Sequence, residues 1–298
     1  MRGSSPNSWT EQKKHFHDRR EGLTDVIEEK GRSDVTEERR VALVTGAARG
    51  IGAATVRALC AEGYGVLALD SCEGTGDDLP YALATREDLE KLGAEHPDQV
   101  LTEVADVRDR HAVDAAAAKA VAHFGRLDAA VTAAAVIRGG QPLWETPEAD
   151  LRTLWDVDVM GVWNTAAACI PHFLAQPAPS GCRFVAIASA AGTRGLFHLG
   201  GYGAAKHAVV GLVRGLAADL VNTGVTAVAV SPGSTRTAML AAATGFYGLD
   251  DVEAFAESQL QGRLIEPEEV AGLVAYCCSP GGGVANGAVM SAEGGFRG

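Results

Sequence analysis

Tyr202 and Lys206 stand four residues apart in Tyr-Gly-Ala-Ala-Lys, and Ser189 precedes them by thirteen and seventeen residues at the end of the apolar run RFVAIAS. On a helix, positions i and i+4 share a face, so the phenol and the ammonium project side by side. An ammonium beside a phenol favours the phenolate and lowers its pKa, which makes tyrosine a workable acid/base near neutral pH. The predicted chemistry is proton exchange at a substrate oxygen: Ser189 holds the oxygen, Tyr202 gives or takes the proton, and Lys206 tunes Tyr202. Any one of the three alone would be unremarkable, and an exposed Tyr–Lys helix pair is the plain alternative.

A second constellation lies upstream. The apolar run VALVT leads directly into Gly46-Ala-Ala-Arg49-Gly50-Ile51-Gly52. Glycines let such a turn reverse tightly, bring backbone N–H groups close to a phosphate, and let the following helix pack on the strand. A pyrophosphate would sit at the positive end of that helix. The next apolar run ends in Asp70, eighteen residues after Gly52. A carboxylate there accepts both adenosine-ribose hydroxyls and repels a 2′-phosphate. No Arg or Lys occupies 71–76, so NAD is expected over NADP. A ligand-free tight turn and a solvated strand-end Asp are the alternatives.

These residues need a scaffold, and the hydrophobic pattern supplies one. Short apolar runs predict strands at 41–45, 66–70, 100–105, 127–132, 184–189, 225–230 and 288–290. Amphipathic stretches between them predict helices at 51–62, 86–92, 112–123, 148–174 and 203–221, with Pro171 a point where the fourth bends or ends. Strand–helix alternation of this kind gives a doubly wound parallel α/β sheet. Residues 41–298 read as one domain with no repeat or linker. Residues 1–40 hold nine basic and nine acidic side chains, whereas the remaining 17 basic and 29 acidic residues carry the whole charge of −12. That shift marks 1–40 as a charged tail, disordered or partly helical, with a docking arm as the alternative.

Composition closes off other classes. The acidic balance argues against nucleic acid, which needs a basic face. No stretch approaches the ~18 uninterrupted apolar residues of a membrane span, and the opening MRGSSPNSWTEQKK lacks a secretory signal's apolar core. Six scattered cysteines read as buried free thiols in a reducing cytoplasm, and the dispersed histidines suggest no metal site.

Taken jointly, the Gly46/Gly50/Gly52 turn, Ser189, Tyr202-Gly-Ala-Ala-Lys206 and SPGSTRT at 231–237 resemble the short-chain dehydrogenase/reductase superfamily over about 41–298. The resemblance implies a Rossmann-like seven-stranded parallel sheet, hydride transfer between a nicotinamide and an alcohol or ketone, and a homotetramer. It assigns Asp106 and Val107 to the adenine, Pro232, Gly233, Thr235 and Thr237 to the nicotinamide end, and Lys206 also to the nicotinamide ribose. Two departures stand out. The family's Asn-Asn-Ala-Gly is here Thr132-Ala133-Ala134-Ala135, where Ala133 and Ala134 still fit beside a cofactor but the side-chain amides are lost. Its Asn-x-x-Gly, whose Asn helps hold a water in the proton relay, is here Asp158-Val-Met-Gly161, which makes Asp158 an altered fourth catalytic residue that either does the same or adds negative charge and raises the pKa of Tyr202. Asn164 lies too far along the helix to replace it.

The segment DSCEGTGDDLPYALATREDLEKL after the second strand is similar to the mycofactocin-associated group that includes carveol dehydrogenases. That resemblance implies NAD held without exchange and re-oxidised in place by mycofactocin, with Tyr81, Leu83 and Thr85 as closure residues; a plain surface loop is the alternative. Segment 236–262 is expected to form an apolar substrate lid, with Arg194, His198 and Leu199 as further pocket residues. Trp144, Trp155 and Trp163 read as packing residues. Three functions remain open at this point: an NAD-dependent secondary-alcohol dehydrogenase, a ketoreductase that exchanges NAD(H) freely, and a nucleotide-binding regulatory protein with weakened chemistry.

Overall fold

Seven parallel strands, β1 Val41–Thr45, β2 Gly65–Asp70, β3 Val100–Val104, β4 Ala129–Thr132, β5 Arg183–Ile187, β6 Thr226–Pro232 and β7 Val289–Ala292, form one sheet in the order β3-β2-β1-β4-β5-β6-β7. This computed structural model describes residues 39–75, 79 and 81–297, so residues 1–38 of the expected N-terminal tail, the loop positions 76–78, Pro80 and Gly298 lie outside the described residues. The two-residue strand period sorts side chains to two faces. Val41, Leu43, Leu67, Leu69, Phe184 and Ala186 enter one apolar cluster, while Ala42, Val44, Val66, Ala68 and Val185 enter the other. Both faces are therefore apolar, which is why these strands read as unbroken hydrophobic runs.

Helices cover both faces. α1 Gly50–Ala61, α2 Arg86–Glu95 and α8 Pro267–Cys278 pack on one side, and α3 Arg110–Phe124, α5 Gly161–Leu174 and α6 Gly200–Asp219 on the other. Local chemistry fixes their ends. Thr85 and Asp88 form a reciprocal capping box at the start of α2, and Asp109 caps α3 by accepting from the amides of His111 and Ala112.

Three differences from the sequence pattern have physical causes. The expected helix 148–174 is a continuous path of α4 Glu148–Leu154, a wide π turn Trp155–Met160 and α5, which runs past Pro171 to Leu174. Such a turn adds one residue to the helix, a change too small for apolar periodicity to register. Helix α8 was not expected, although Glu266, Pro267 and Glu269 form a capping box with proline in the first turn. The lid contains α7 Ala238–Tyr247 followed by a 3-10 segment at Val252–Ser258.

Strand order reverses between β1 and β4, so the loops beyond their carboxyl ends diverge and leave a crevice. Every residue of chemical interest in the sequence lies on this edge of the sheet.

Candidate active site

The Gly46–Gly52 turn crosses the crevice against the loop after β4. Gly46 has φ +63°, and a Cβ there would lie 2.5 Å from the Ala134 amide nitrogen. A Cβ on Gly52 would approach the Gly46 carbonyl to 2.0 Å. Neither position has room for a side chain. Arg49, at the start of α1, makes no side-chain cap, so the first amides of the helix face the crevice without a partner from that residue. Its guanidinium instead donates to the Ala82 carbonyl at 2.6 Å, tying the turn to the segment between β2 and α2.

The resulting cleft is open to solvent. Gly46, Arg49, Gly50, Ile51, Asp70, Asp106, Val107, Ala133, Ala134 and Thr237 line it, as the sequence predicts. Asp70 is 8% exposed; its two oxygens accept from the amides of Ala48 and Cys72, each at 3.0 Å, which leaves further lone pairs toward the cleft. Beside Asp106 and Val107, Arg108 bridges Asp106 and Glu73, both at 2.6 Å. Asn164 holds this loop by donating to the Val107 carbonyl at 2.8 Å, a positioning role that sequence spacing did not reveal.

Six predicted cofactor residues do not line the cleft: Tyr202 and Lys206 on α6, and Gly52, Pro232, Gly233 and Thr235. Gly52 serves the turn's packing and does not line the cleft. Pro232 ends β6, Gly233 packs against Gln259 and Glu293, and the Thr235 hydroxyl turns back to donate to the Gly233 carbonyl at 3.0 Å. The lost amides after β4 are partly replaced from β1: Ala133 donates to the Thr45 carbonyl at 3.2 Å and Ala134 to the Thr45 hydroxyl at 3.3 Å. The Thr132 hydroxyl is buried without a partner.

Beyond the cleft's inner end, α6 and the loop after β5 bring Ser189, Tyr202 and Lys206 together with Asp158. Ser189 lies past the end of β5 and accepts from the Ala191 amide at 3.2 Å. Ser189 acts on Tyr202 in the direction that lowers its pKa. Lys206 is 2% exposed, and its Nζ lies 3.3 Å from Asp158 Oδ2 and 5.6 Å from the centre of the Tyr202 ring. The other Asp158 oxygen accepts from the Val136 amide at 2.8 Å. Because Val136 also lines the cleft, this single bond joins the catalytic cluster to the cleft wall.

Burial corrects one sequence expectation. In this state Tyr202 is held above the usual tyrosine range, first by burial and then by Asp158, against the lowering influence of Lys206 and of Ser189. Burial works to lower Lys206, but Asp158 and Tyr202 outweigh it and hold the ammonium above its usual range.

A third apolar cluster surrounds Tyr202. It combines Val136, Ile137 and Leu199 with Met239, Phe246, Tyr247 and Phe255 of the lid. Leu79, Tyr81 and Leu83 from the β2–α2 segment pack into the same cluster, and the Tyr81 hydroxyl accepts from the Ile137 amide at 2.9 Å. Thr85 belongs to the α2 cap instead. Of the other pocket candidates only Leu199 faces this cluster. Arg194 pairs with Glu293 and the Phe296 carbonyl, and His198 stacks on Phe197 at 3.7 Å. The tryptophans are not buried packing residues of this chain: Trp144, Trp155 and Trp163 are 83%, 50% and 46% exposed. Five of the six free cysteines are buried, with Cys72 half-buried.

Comparison with known proteins agrees with this architecture. The family model described as enoyl-(acyl carrier protein) reductase matches residues 46–297. A cis-4-hydroxycyclohexanecarboxylate dehydrogenase of Sinomonas cyclohexanicum is 36% identical over 259 residues, spanning 86% of this chain and 96% of the relative. A (−)-trans-carveol dehydrogenase of Rhodococcus erythropolis is 35% identical over 212 residues, spanning 68% of this chain and 73% of the relative. The crystal structure of carveol dehydrogenase from Mycobacterium avium in complex with NAD has a TM-score of 0.79 at 28% identity, covering 86% of this chain and 96% of that one.

Proposed function

Because the chain belongs to the short-chain dehydrogenase/reductase superfamily, we propose that it is an NAD-dependent dehydrogenase that interconverts an apolar, alicyclic secondary alcohol and its ketone. The observation that carries this reading is the grouping of half-buried Ser189 with buried Tyr202 and Lys206, joined through Asp158 and Val136 to a glycine-lined cleft that also holds Asp70. The residues present fit the cofactor. Gly46 and Gly50 keep the cleft side of the turn free of side chains where a pyrophosphate approaches, and Asp70 offers acceptors to a ribose diol. When bound, NAD supplies the hydride acceptor, or in its reduced form the donor.

The chain's own groups do the rest. Ser189 orients the alcohol oxygen by hydrogen bonding, and Tyr202 takes the hydroxyl proton during oxidation or returns it to the ketone oxygen during reduction. Lys206 lies close enough to stabilise the phenolate that oxidation requires. The apolar wall of Leu199, Met239, Phe246 and Phe255 favours a hydrocarbon ring and excludes water from the reacting atoms. Relatives that act on ring-bearing alcohols support that substrate class.

The sharper form of this reading is an NAD that does not exchange and is re-oxidised in place by mycofactocin. It is supported by the β2–α2 segment, which lines the cleft through Leu79, Tyr81 and Leu83 and is anchored by Arg49 and by Arg108. Purified without added NAD, the protein is then expected to release close to one NAD per chain on denaturation and to resist a chase with labelled NAD. Rapid exchange would overturn this sharper form and leave an ordinary ketoreductase; failure to bind NAD at all would overturn both.

Asp70→Ala is expected to weaken NAD binding by about 1.5–3 kcal/mol, the value of hydrogen bonds to a charged acceptor, and to relax rejection of NADP. Titration calorimetry with the two dinucleotides checks this, and unchanged affinity with NADP still excluded would place the selectivity elsewhere. We extend the reading to a cytoplasmic homotetramer. The half-exposed Trp155 and Trp163 support subunit contact, and no helix of the described residues is long and apolar enough to cross a membrane.

A further inference from the structure

Asp158 has no accessible surface, yet it carries a carboxylate within 3.3 Å of the Lys206 ammonium. A neutral amide could accept from the Val136 amide equally well, so that bond alone does not call for a charge here. The wide turn at Trp155–Met160 directs the carboxylate inward between Val136 and Lys206. We propose that Asp158 is a positioning residue that closes Lys206 into a buried ion pair, so that the resting site holds Tyr202 as a phenol ready to donate its proton to a ketone. This inference rests on the dehydrogenase reading above and assigns the altered fourth position a role within it.

The charged and titratable groups around the pair form a short set among the described residues. α6 supplies Tyr202 and Lys206, the wide turn supplies Asp158, and the β2–α2 segment supplies Tyr81, on which Arg49 acts from the glycine turn. Lys206 is the only cation that acts on Tyr202, and Asp158 is the anion placed against it. Tyr81 is itself pushed up to about 12, mainly by burial, so it stays a neutral phenol and does not compensate. Burial pushes the Asp158 carboxyl above the usual carboxylate range against the pull of Lys206, while the lysine is held charged. The sign follows. Lys206 favours the Tyr202 phenolate, and a carboxylate that offsets the lysine's field removes part of that preference. Phenol is the form that gives a proton during ketone reduction, and phenolate is the form that takes one during alcohol oxidation. Asp158 therefore extends reduction to higher pH and moves oxidation to more alkaline conditions.

The test is Asp158→Asn in the full-length protein, because asparagine preserves both the volume and the acceptor for the Val136 amide. Its kcat–pH profiles for oxidation and reduction should both move down by about one pH unit or more, the displacement a nearby charge produces, with KM for the alcohol unchanged. Independently of turnover, ultraviolet titration of the protein as purified, followed at the tyrosinate absorbance, should show one of the five tyrosines ionising at lower pH in Asp158→Asn. That tyrosine should disappear in Asp158→Asn/Tyr202→Phe. Superimposable profiles and tyrosinate titrations would reduce Asp158 to packing and overturn the proposal. If Asp158→Asn does not fold, comparing the parent with Tyr202→Phe decides instead: a Tyr202 phenolate appearing near neutral pH in the parent overturns it, and a phenol persisting into alkaline pH supports it. A shifted tyrosinate titration without turnover on any secondary alcohol would sink the dehydrogenase reading and leave the ion-pair assignment standing.

Discussion

Tyr202→Phe is expected to keep NAD in place and to lose turnover by about 10²–10⁴-fold, the usual contribution of a positioned acid/base. The substitution removes one oxygen from a residue that is 7% exposed and packed among Val136, Ile137 and Leu199. Phenylalanine fills the same space, so the core should hold. The Lys206–Asp158 pair and the whole glycine-lined half of the cleft remain as they were. The loss should therefore fall on kcat, with little change in NAD content or in KM for the alcohol. Single-turnover hydride transfer, followed by nicotinamide absorbance after mixing with a cyclic secondary alcohol, isolates the step. Near-parental transfer in this variant would remove Tyr202 from the proton path, and Ser189 would have to carry it alone.

The sheet was legible in advance because its strands are buried on both faces and stand out as apolar runs such as VALVT and RFVAI. The placement of Tyr202 and Lys206 was legible because helical periodicity puts them on one face, and α6 places them so. What escaped the sequence was geometry decided by tertiary contacts. Asn164 lies two turns from the expected position and acts on a loop fifty-seven residues away. The net effect on Tyr202 depends on burial, which residue spacing does not report, and burial reverses the influence of Lys206 alone. Thr235 satisfies the motif yet folds its hydroxyl back onto the Gly233 carbonyl. The tryptophans misled for a related reason: aromatic side chains that pack are indistinguishable in sequence from those left exposed on a single chain, as Trp144 is.

Lys206→Met should destabilise the fold at neutral pH by about 3–5 kcal/mol, the cost of removing one partner from a buried ion pair. Methionine replaces the aliphatic stem, so the lost packing is small and the effect isolates the charge. What remains is Asp158, with no accessible surface and one oxygen already lacking a directed hydrogen bond. With the ammonium gone, burial is opposed only by the Val136 amide bond, and the carboxyl's pKa rises further in the folded state. A group whose folded pKa exceeds its unfolded value contributes stability that is complete below the unfolded pKa and disappears as pH rises through the folded one. The variant should therefore approach parental stability under mildly acidic conditions, where Asp158 is protonated, and fall behind as pH rises toward neutrality. The parent should show a smaller fall, complete at lower pH, because its charged lysine opposes the burial that raises the carboxyl. Adding Asp158→Asn to Lys206→Met removes the stranded charge, so the double variant should regain most of the loss despite being further from the parent sequence. Urea denaturation of the four proteins across this pH range forms a double-mutant cycle. Additive losses without pH dependence would mean that the two side chains contribute only volume, and the ionic account of this site would fail.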